Sequence, residues 1–146
     1  METKFNFKSS VCTSREQSER LLALGLKKET ADICLQSTLN DVWSPYIPIA
    51  MPYSKVEALD LSKDVFRIIP AWSLGRLIEM MPEYVHKGNA YFERTLFPNS
   101  VDYFRDLYND CGDVVISFDS PNLYDRLIHC IEWLIKEGCF NKDYLL

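Results

Sequence analysis

Ser120-Pro121-Asn122-Leu123-Tyr124-Asp125-Arg126-Leu127-Ile128-His129-Cys130-Ile131-Glu132-Trp133-Leu134-Ile135-Lys136-Glu137-Gly138 carries both end signals of one amphipathic helix. Ser120 supplies a cap, and Pro121 brings the preset φ of a first helical position. Leu123, Leu127, Ile128, Ile131, Leu134 and Ile135 recur at helical spacing and form one apolar stripe. Asp125, Arg126, Glu132, Lys136 and Glu137 fall on the wet face. Gly138 offers the left-handed residue that ends the helix. Such a stripe must be buried against another layer, so the sequence ahead of it decides the fold.

That sequence is strand-like. Residues 90–97, 101–108 and 113–118 are rich in Tyr, Phe, Val and Ile. Pro98-Asn99-Ser100 and Asn109-Asp110-Cys111-Gly112 punctuate them as turns. Connections this short demand antiparallel neighbours, so residues 90–118 read as a three-stranded meander under the C-terminal helix. Further back, Ser73 caps a helix whose Leu74, Leu77, Ile78 and Met81 share one face, with Trp72 placed to staple onto Leu77 and Pro82 closing it. Near the start, Thr13 with Glu16 or Ser14 with Gln17 can form a capping box. Leu21, Leu22 and Leu24 follow, Gly25 stops that helix, and Leu26 is free to fold back on it. A short turn over 29–32 comes next, and residues 1–12, with Phe5, Phe7 and Val11, read as an extended lead-in.

The segment 33–69 is the least regular. Ile33-Cys34-Leu35 begins a strand. Pro45, Pro48 and Pro52 forbid a helix and disfavour a central strand, which leaves an irregular aromatic loop around Trp43, Tyr46 and Tyr53. Residues 55–64 suit a short helical turn, and Val65-Phe66-Arg67-Ile68-Ile69 a short strand ended by Pro70. The fold class expected is α+β: a small antiparallel sheet packed by the C-terminal helix and two further helices, in a single domain over 1–146.

The totals limit what such a domain can do. A chain of 146 residues buries roughly 70% of its unfolded surface, and a hydrophobic share of 47% supplies a core without metal or disulfide staples. Sixteen Lys and Arg against 21 Asp and Glu give a net charge of −5, which makes nucleic acid an unlikely partner. Met1 to Lys8 lacks the apolar core of a secretory signal, and the uncharged stretch 42–54, broken by prolines, is too short to cross a bilayer. The five cysteines, Cys12, Cys34, Cys111, Cys130 and Cys139, are odd in number and form no CxxC pair. Reduced, mostly buried thiols follow, and the chain reads as soluble and cytoplasmic.

Few residues suggest chemistry. His129 lies one turn from Asp125 and three residues before Glu132, a spacing that could tune a general base, or that simply decorates a solvated helical face. Cys111 stands among carboxylates that would raise a thiol's pKa rather than activate it. The same turn lacks the acidic ladder of a calcium loop. Residues 14–32 could suggest a helix-turn-helix, but Lys27-Lys28-Glu29-Thr30-Ala31-Asp32 is short and charge-balanced. No glycine-rich phosphate loop, catalytic triad or metal motif is present, so no cofactor and no metal are expected. Trp43, Tyr46, Tyr53 and Trp72 are the binding candidates, because aromatics in proline-rich sequence line interfaces as readily as they cover a sheet.

Three motifs add a resemblance. Thr13-Ser14-Arg15-Glu16-Gln17-Ser18 leading to Leu21-Leu22-Ala23-Leu24-Gly25-Leu26 and Thr30-Ala31-Asp32 is the first. Ile69-Pro70-Ala71-Trp72-Ser73-Leu74 is the second, and Ile131-Glu132-Trp133-Leu134-Ile135 the third. In this order they resemble a group of small uncharacterised proteins of gut anaerobic bacteria and their phages or mobile elements. The resemblance implies a bacterial, intracellular setting and admits a mobile-element origin, but transfers no activity. The function expected is therefore a non-catalytic protein-interaction domain that binds a protein partner or itself. The alternatives are an enzyme with a carboxylate/His129 site in an aromatic pocket, and an acidic regulator of a nucleic-acid-binding protein.

Overall fold

The computed structural model describes residues 10–39, 42–59, 65–105 and 113–146. Within them the chain order is α1 (Arg15–Ala23), a 3-10 turn (Lys28–Thr30), β1 (Ile33–Thr38), β2 (Ile47–Ile49), α2 (Tyr53–Leu59), β3 (Phe66–Ala71), α3 (Leu74–Met80), β4 (Tyr84–Lys87), β5 (Ala90–Leu96), β6 (Val101–Arg105), β7 (Asp113–Phe118), α4 (Leu123–Lys136) and a last 3-10 turn (Lys142–Tyr144). The fold is α+β, with two antiparallel sheets ordered β2-β1-β3 and β4-β5-β6-β7. The expected lead-in strand with Phe5 and Phe7, and the Asn109-Asp110-Cys111-Gly112 turn with its thiol, lie outside the described residues.

The punctuation of the two end helices acts as the sequence suggests, with one shift. At α1 the capping box is Ser14 with Gln17: Ser14 Oγ accepts from the Gln17 amide at 3.2 Å, and Gln17 Oε1 accepts from the Ser14 amide at 2.9 Å. Gly25 (φ 95°) lets its own amide reach Leu22 O and the Leu26 amide reach Leu21 O, which satisfies two end carbonyls and turns Leu26 into the core. Gly138 (φ 70°) does the same for α4 through the carbonyls of Ile135 and Leu134. The α4 cap, however, is Asn122 rather than Ser120. Its Oδ1 accepts from the Asp125 amide at 3.2 Å, so Ser120 and Pro121 belong to the extended approach. Asn caps as well as Ser, and it stands where its side chain reaches the third helical amide.

The main core lies between α4 and the inner face of the four-stranded sheet. Leu127, Ile128, Ile131 and Leu134 of α4 meet Val85, Phe92, Val101 and Tyr103 from the strands, Leu77 and Met80 from α3, and Leu21 from α1. A smaller core of Cys12, Leu35 and Ala71 sits on one face of the three-stranded sheet. Trp72, the residue after β3, belongs to the main core. The expected three-stranded meander is thus the greater part of a four-stranded sheet. The missed first strand, β4, is joined to β5 by Gly88-Asn89, with Lys87 opposite Ala90.

The second sheet corrects the reading of residues 33–71. Pro48 and Pro70 do not exclude strands; they sit inside β2 and β3, opposite Leu35 and Cys34. A proline has no N–H to give, so it fits only the half of an antiparallel ladder whose groups point away from the partner strand. Both prolines therefore turn their missing donor toward an outer edge, and both edges are blunted against further strand pairing. Tyr53, expected in a loop, opens α2, and the turn expected over 29–32 is the 3-10 turn Lys28–Thr30.

One corner fixes how α3 enters the sheet. Arg94 of β5 donates from Nη1 to the Ile78 and Met81 carbonyls at 2.8 and 2.7 Å, where the helix end favours a cation. Beside it the buried Tyr103 hydroxyl donates to Pro82 O at 2.6 Å, and burial pushes its phenol well above the ordinary value. Tyr103→Phe is expected to cost about 1–2 kcal/mol in urea unfolding, since it strands a carbonyl without changing the ring. A cost near zero would mean that this bond does not hold the corner.

Candidate functional site

The sequence-predicted residues part company in space. Asp125 accepts from Gln17 Nε2 at 2.8 Å, and Glu132 pairs with Arg20, so both carboxylates bind α4 to α1. His129 between them turns its ring toward Phe118 of β7, with centroids 6.3 Å apart. The helical spacing put the three residues on neighbouring positions, but the packing of α1 draws the two carboxylates to its own side chains. His129, Asp125 and Glu132 line none of the open clefts that flank Phe66, Cys12, Met81 and Arg126. The 3-10 turn Lys28–Thr30 spans one turn and leads straight into β1, far short of a base-reading helix.

The four aromatics also differ. Trp72 is 0% exposed. Its Nε1 donates to Thr30 Oγ1 at 2.9 Å, its amide donates to Thr13 Oγ1 at 3.1 Å, and its carbonyl accepts from the Thr13 amide at 2.9 Å. It is a core residue that ties α1, the 3-10 turn and β3 together. Tyr53 is half-buried against the main core with the Lys28 ammonium over its ring, and Tyr46 packs on the smaller core beneath the Arg15 guanidinium. Trp43 alone projects, with 92% of its surface exposed.

Trp43 stands on a built edge. At the end of β1, Ser37 Oγ donates to Ser44 O at 3.0 Å, and the Thr38 amide donates to Ser44 Oγ at 3.3 Å. Across the strand the Leu39 amide donates to Val65 O at 2.9 Å, and Arg67 Nη2 donates to Thr38 O at 3.1 Å. The first two bonds fasten Ser44 to the end of β1, so Trp43 rises from a turn tied down at its next residue. Val42 is 78% exposed and Ile47 60% exposed beside it. Next to them opens a cleft of about 210 Å³, lined by Thr38, Ser44, Pro45, Ile47, Ile49 and Phe66. A side-chain knob and a shallow apolar hole thus share one edge of the small sheet.

A second exposed surface escaped the sequence reading. The outer face of the four-stranded sheet carries Tyr84, His86, Tyr91 and Glu93, with the His86 and Tyr91 rings 4.2 Å apart. The charges of Glu83 and then Glu93 push the Tyr84 phenol above its ordinary value. The alternation Tyr91-Phe92-Glu93 was the available signal, since period two sends Phe92 inward and its neighbours out.

The thiols of the described residues are structural. Cys12, Cys34 and Cys130 are buried and Cys139 half-buried, all free. Burial pushes the Cys34 thiol up to about 11 and the Cys130 thiol up to about 12. Neither offers thiolate at neutral pH. In native protein at pH 8, mass-mapped alkylation is expected to reach Cys139 well before Cys34 and Cys130, which should react only as denaturant is added. Fast native labelling of Cys130 would contradict the packing of α4 on the sheet. No His, Cys, Asp and Glu grouping fit to hold a metal occurs among the described residues, and no helix of theirs is long and apolar enough to cross a membrane. Comparison with protein-family models, with curated proteins and with solved structures finds no match.

Proposed function

We propose that this chain is a non-catalytic protein-interaction domain that docks a protein partner, or a second copy of itself, through Trp43 and the adjoining cleft. One observation carries the reading: a tryptophan 92% exposed on a hydrogen-bonded turn. Burying an indole contributes a large apolar area at low entropic cost, and tryptophan heads the residues that dominate interface energetics. The prolines of β2 and β3 blunt both edges of the sheet, so docking proceeds through side chains rather than by an added strand. Self-association is favoured by the adjacency of knob and hole, because a two-fold interface lets each copy's Trp43 enter the other's cleft. A bacterial, cytoplasmic setting with a mobile-element origin belongs to the same proposal. It rests on the resemblance of the three motifs alone.

Light scattering together with affinity capture tests the reading. A dimer, or a partner captured by the wild-type chain and lost on Trp43→Ala, supports it. A strict monomer that captures nothing, or captures the same proteins with and without Trp43, contradicts it.

A further inference from the structure

We infer that β4 is a self-pairing edge, through which two copies of this chain join their four-stranded sheets antiparallel. The strand order leaves β4 outermost, with β5 on its one side. The Arg94 amide donates to Glu83 O at 2.8 Å, one step beyond the Tyr84–Glu93 pair of the ladder. An antiparallel ladder alternates, so Glu83, Val85 and Lys87 turn their amides and carbonyls to β5. Tyr84 and His86 turn theirs to the open edge, where among the described residues no hydrogen bond reaches them. β4 holds no proline, unlike β2 and β3, so this edge keeps its donors. Lys87 does not guard it either. Its ammonium lies back over the Trp133 ring, 5.7 Å from the centroid, and pairs with Glu137.

The sequence of this edge is complementary to itself in one register. A two-fold axis at Val85 sets Tyr84 opposite His86 of the second copy, and each such pair exchanges N–H···O bonds in both directions. The same register sets Glu83 opposite Lys87 of the second copy, on both sides of the axis. Glu83 has no ion pair among the described residues. An ammonium has three donors, so Lys87 can bridge Glu137 and the incoming Glu83. On the outer face the His86 ring already lies 4.2 Å from that of Tyr91, and Tyr84 of the second copy falls on its other side. The joint thus continues a row of rings and covers Tyr84, which is 49% exposed in the single chain. Moving the axis one residue either way loses the match. At Tyr84 it sets Pro82, which has no N–H, opposite His86, and at His86 it carries Tyr84 to Gly88. Neither shift opposes Glu83 to Lys87.

This contact uses the large sheet and none of the Trp43 edge, so the two are separable. Sedimentation equilibrium of the full chain measures it, carried to about 1 mM because so short an edge binds weakly. A monomer–dimer equilibrium is expected that Trp43→Ala does not abolish. Glu83→Lys should weaken it at least about fivefold, since two attractive cross-strand pairs become repulsive. Glu83→Lys combined with Lys87→Glu should restore most of the loss. His86→Pro should abolish the dimer by removing an outward donor; if that variant fails to fold, the charge exchange still decides. Amide hydrogen exchange should show Tyr84 and His86 growing protected as concentration rises. The inference is overturned by a wild-type chain still monomeric at the highest concentration, or by a dimer that Trp43→Ala abolishes. A dimer that leaves both amides unprotected, or is indifferent to Glu83→Lys, overturns it equally. Glu83→Lys also supplies the background in which docking at Trp43 is read without this second contact.

Discussion

Trp72→Ala is expected to destabilise the chain by about 3–5 kcal/mol, the cost of deleting a fully enclosed aromatic side chain. The indole is 0% exposed and fills the space where the small sheet hands the chain over to α3. Its loss opens a cavity, and it also leaves Thr30 Oγ1 without the Nε1 donor. The neighbouring bonds share the strain. Thr13 is bound to the Trp72 backbone on both sides and to Ser18 Oγ at 2.7 Å, while the Ser73 amide and hydroxyl both donate to Asp32. Trp72→Phe should recover much of the volume but not the hydrogen bond, leaving a cost nearer about 1–2 kcal/mol. Urea unfolding followed by circular dichroism measures both. Equal, small costs for the two variants would mean that Trp72 does not anchor the end of β3 in the main core.

Trp43→Ala should do the opposite. Folding stability should stay within about 0.5 kcal/mol, because an indole 92% exposed buries little area. Affinity for the partner, or for the second copy, should fall at least about 30-fold, the loss that marks a dominant interface residue. Ile47→Asp should weaken the same complex, because it places a charge on the lip of the cleft without touching the Trp43 turn. Trp72→Phe serves as the control. It perturbs the core and should leave affinity unchanged while the protein stays folded. A Trp43→Ala variant that unfolds would give the indole a core role that its 92% exposure denies.

The contrast between these two tryptophans shows where a sequence is legible. The stripe of α4 and the glycines after α1 and α4 could be read directly, because helix periodicity and left-handed stops are local signals. The prolines were harder. Pro48 and Pro70 signal a missing N–H, and only knowledge of the neighbouring strand tells whether that gap breaks a strand or faces an edge. Gly88-Asn89 between Tyr84-Val85-His86-Lys87 and Ala90-Tyr91-Phe92 was a readable hairpin signal, and it would have supplied β4. Arg126 was not readable in this way. Its place on the helical wheel is polar, and its burial comes from a turn 28 residues away in sequence. For the candidate site, composition named the right aromatic group but could not sort it. Trp72 stands beside the Ser73 cap and is drawn inward by Thr13 and Thr30, partners remote in sequence, whereas Trp43 rides a turn fastened by Ser44.

Fluorine NMR of fluorotryptophan-labelled protein tests the docking role of Trp43 most directly, because it follows Trp43, Trp72 and Trp133 separately. In the free monomer, a soluble paramagnetic chelate should broaden the Trp43 resonance most, the half-buried Trp133 less and Trp72 least. Adding the captured partner, or raising concentration into the dimer, should shift Trp43 and shield it while Trp72 stays in place. A complex that forms with the Trp43 resonance unmoved and still fully broadened would contradict docking at this edge.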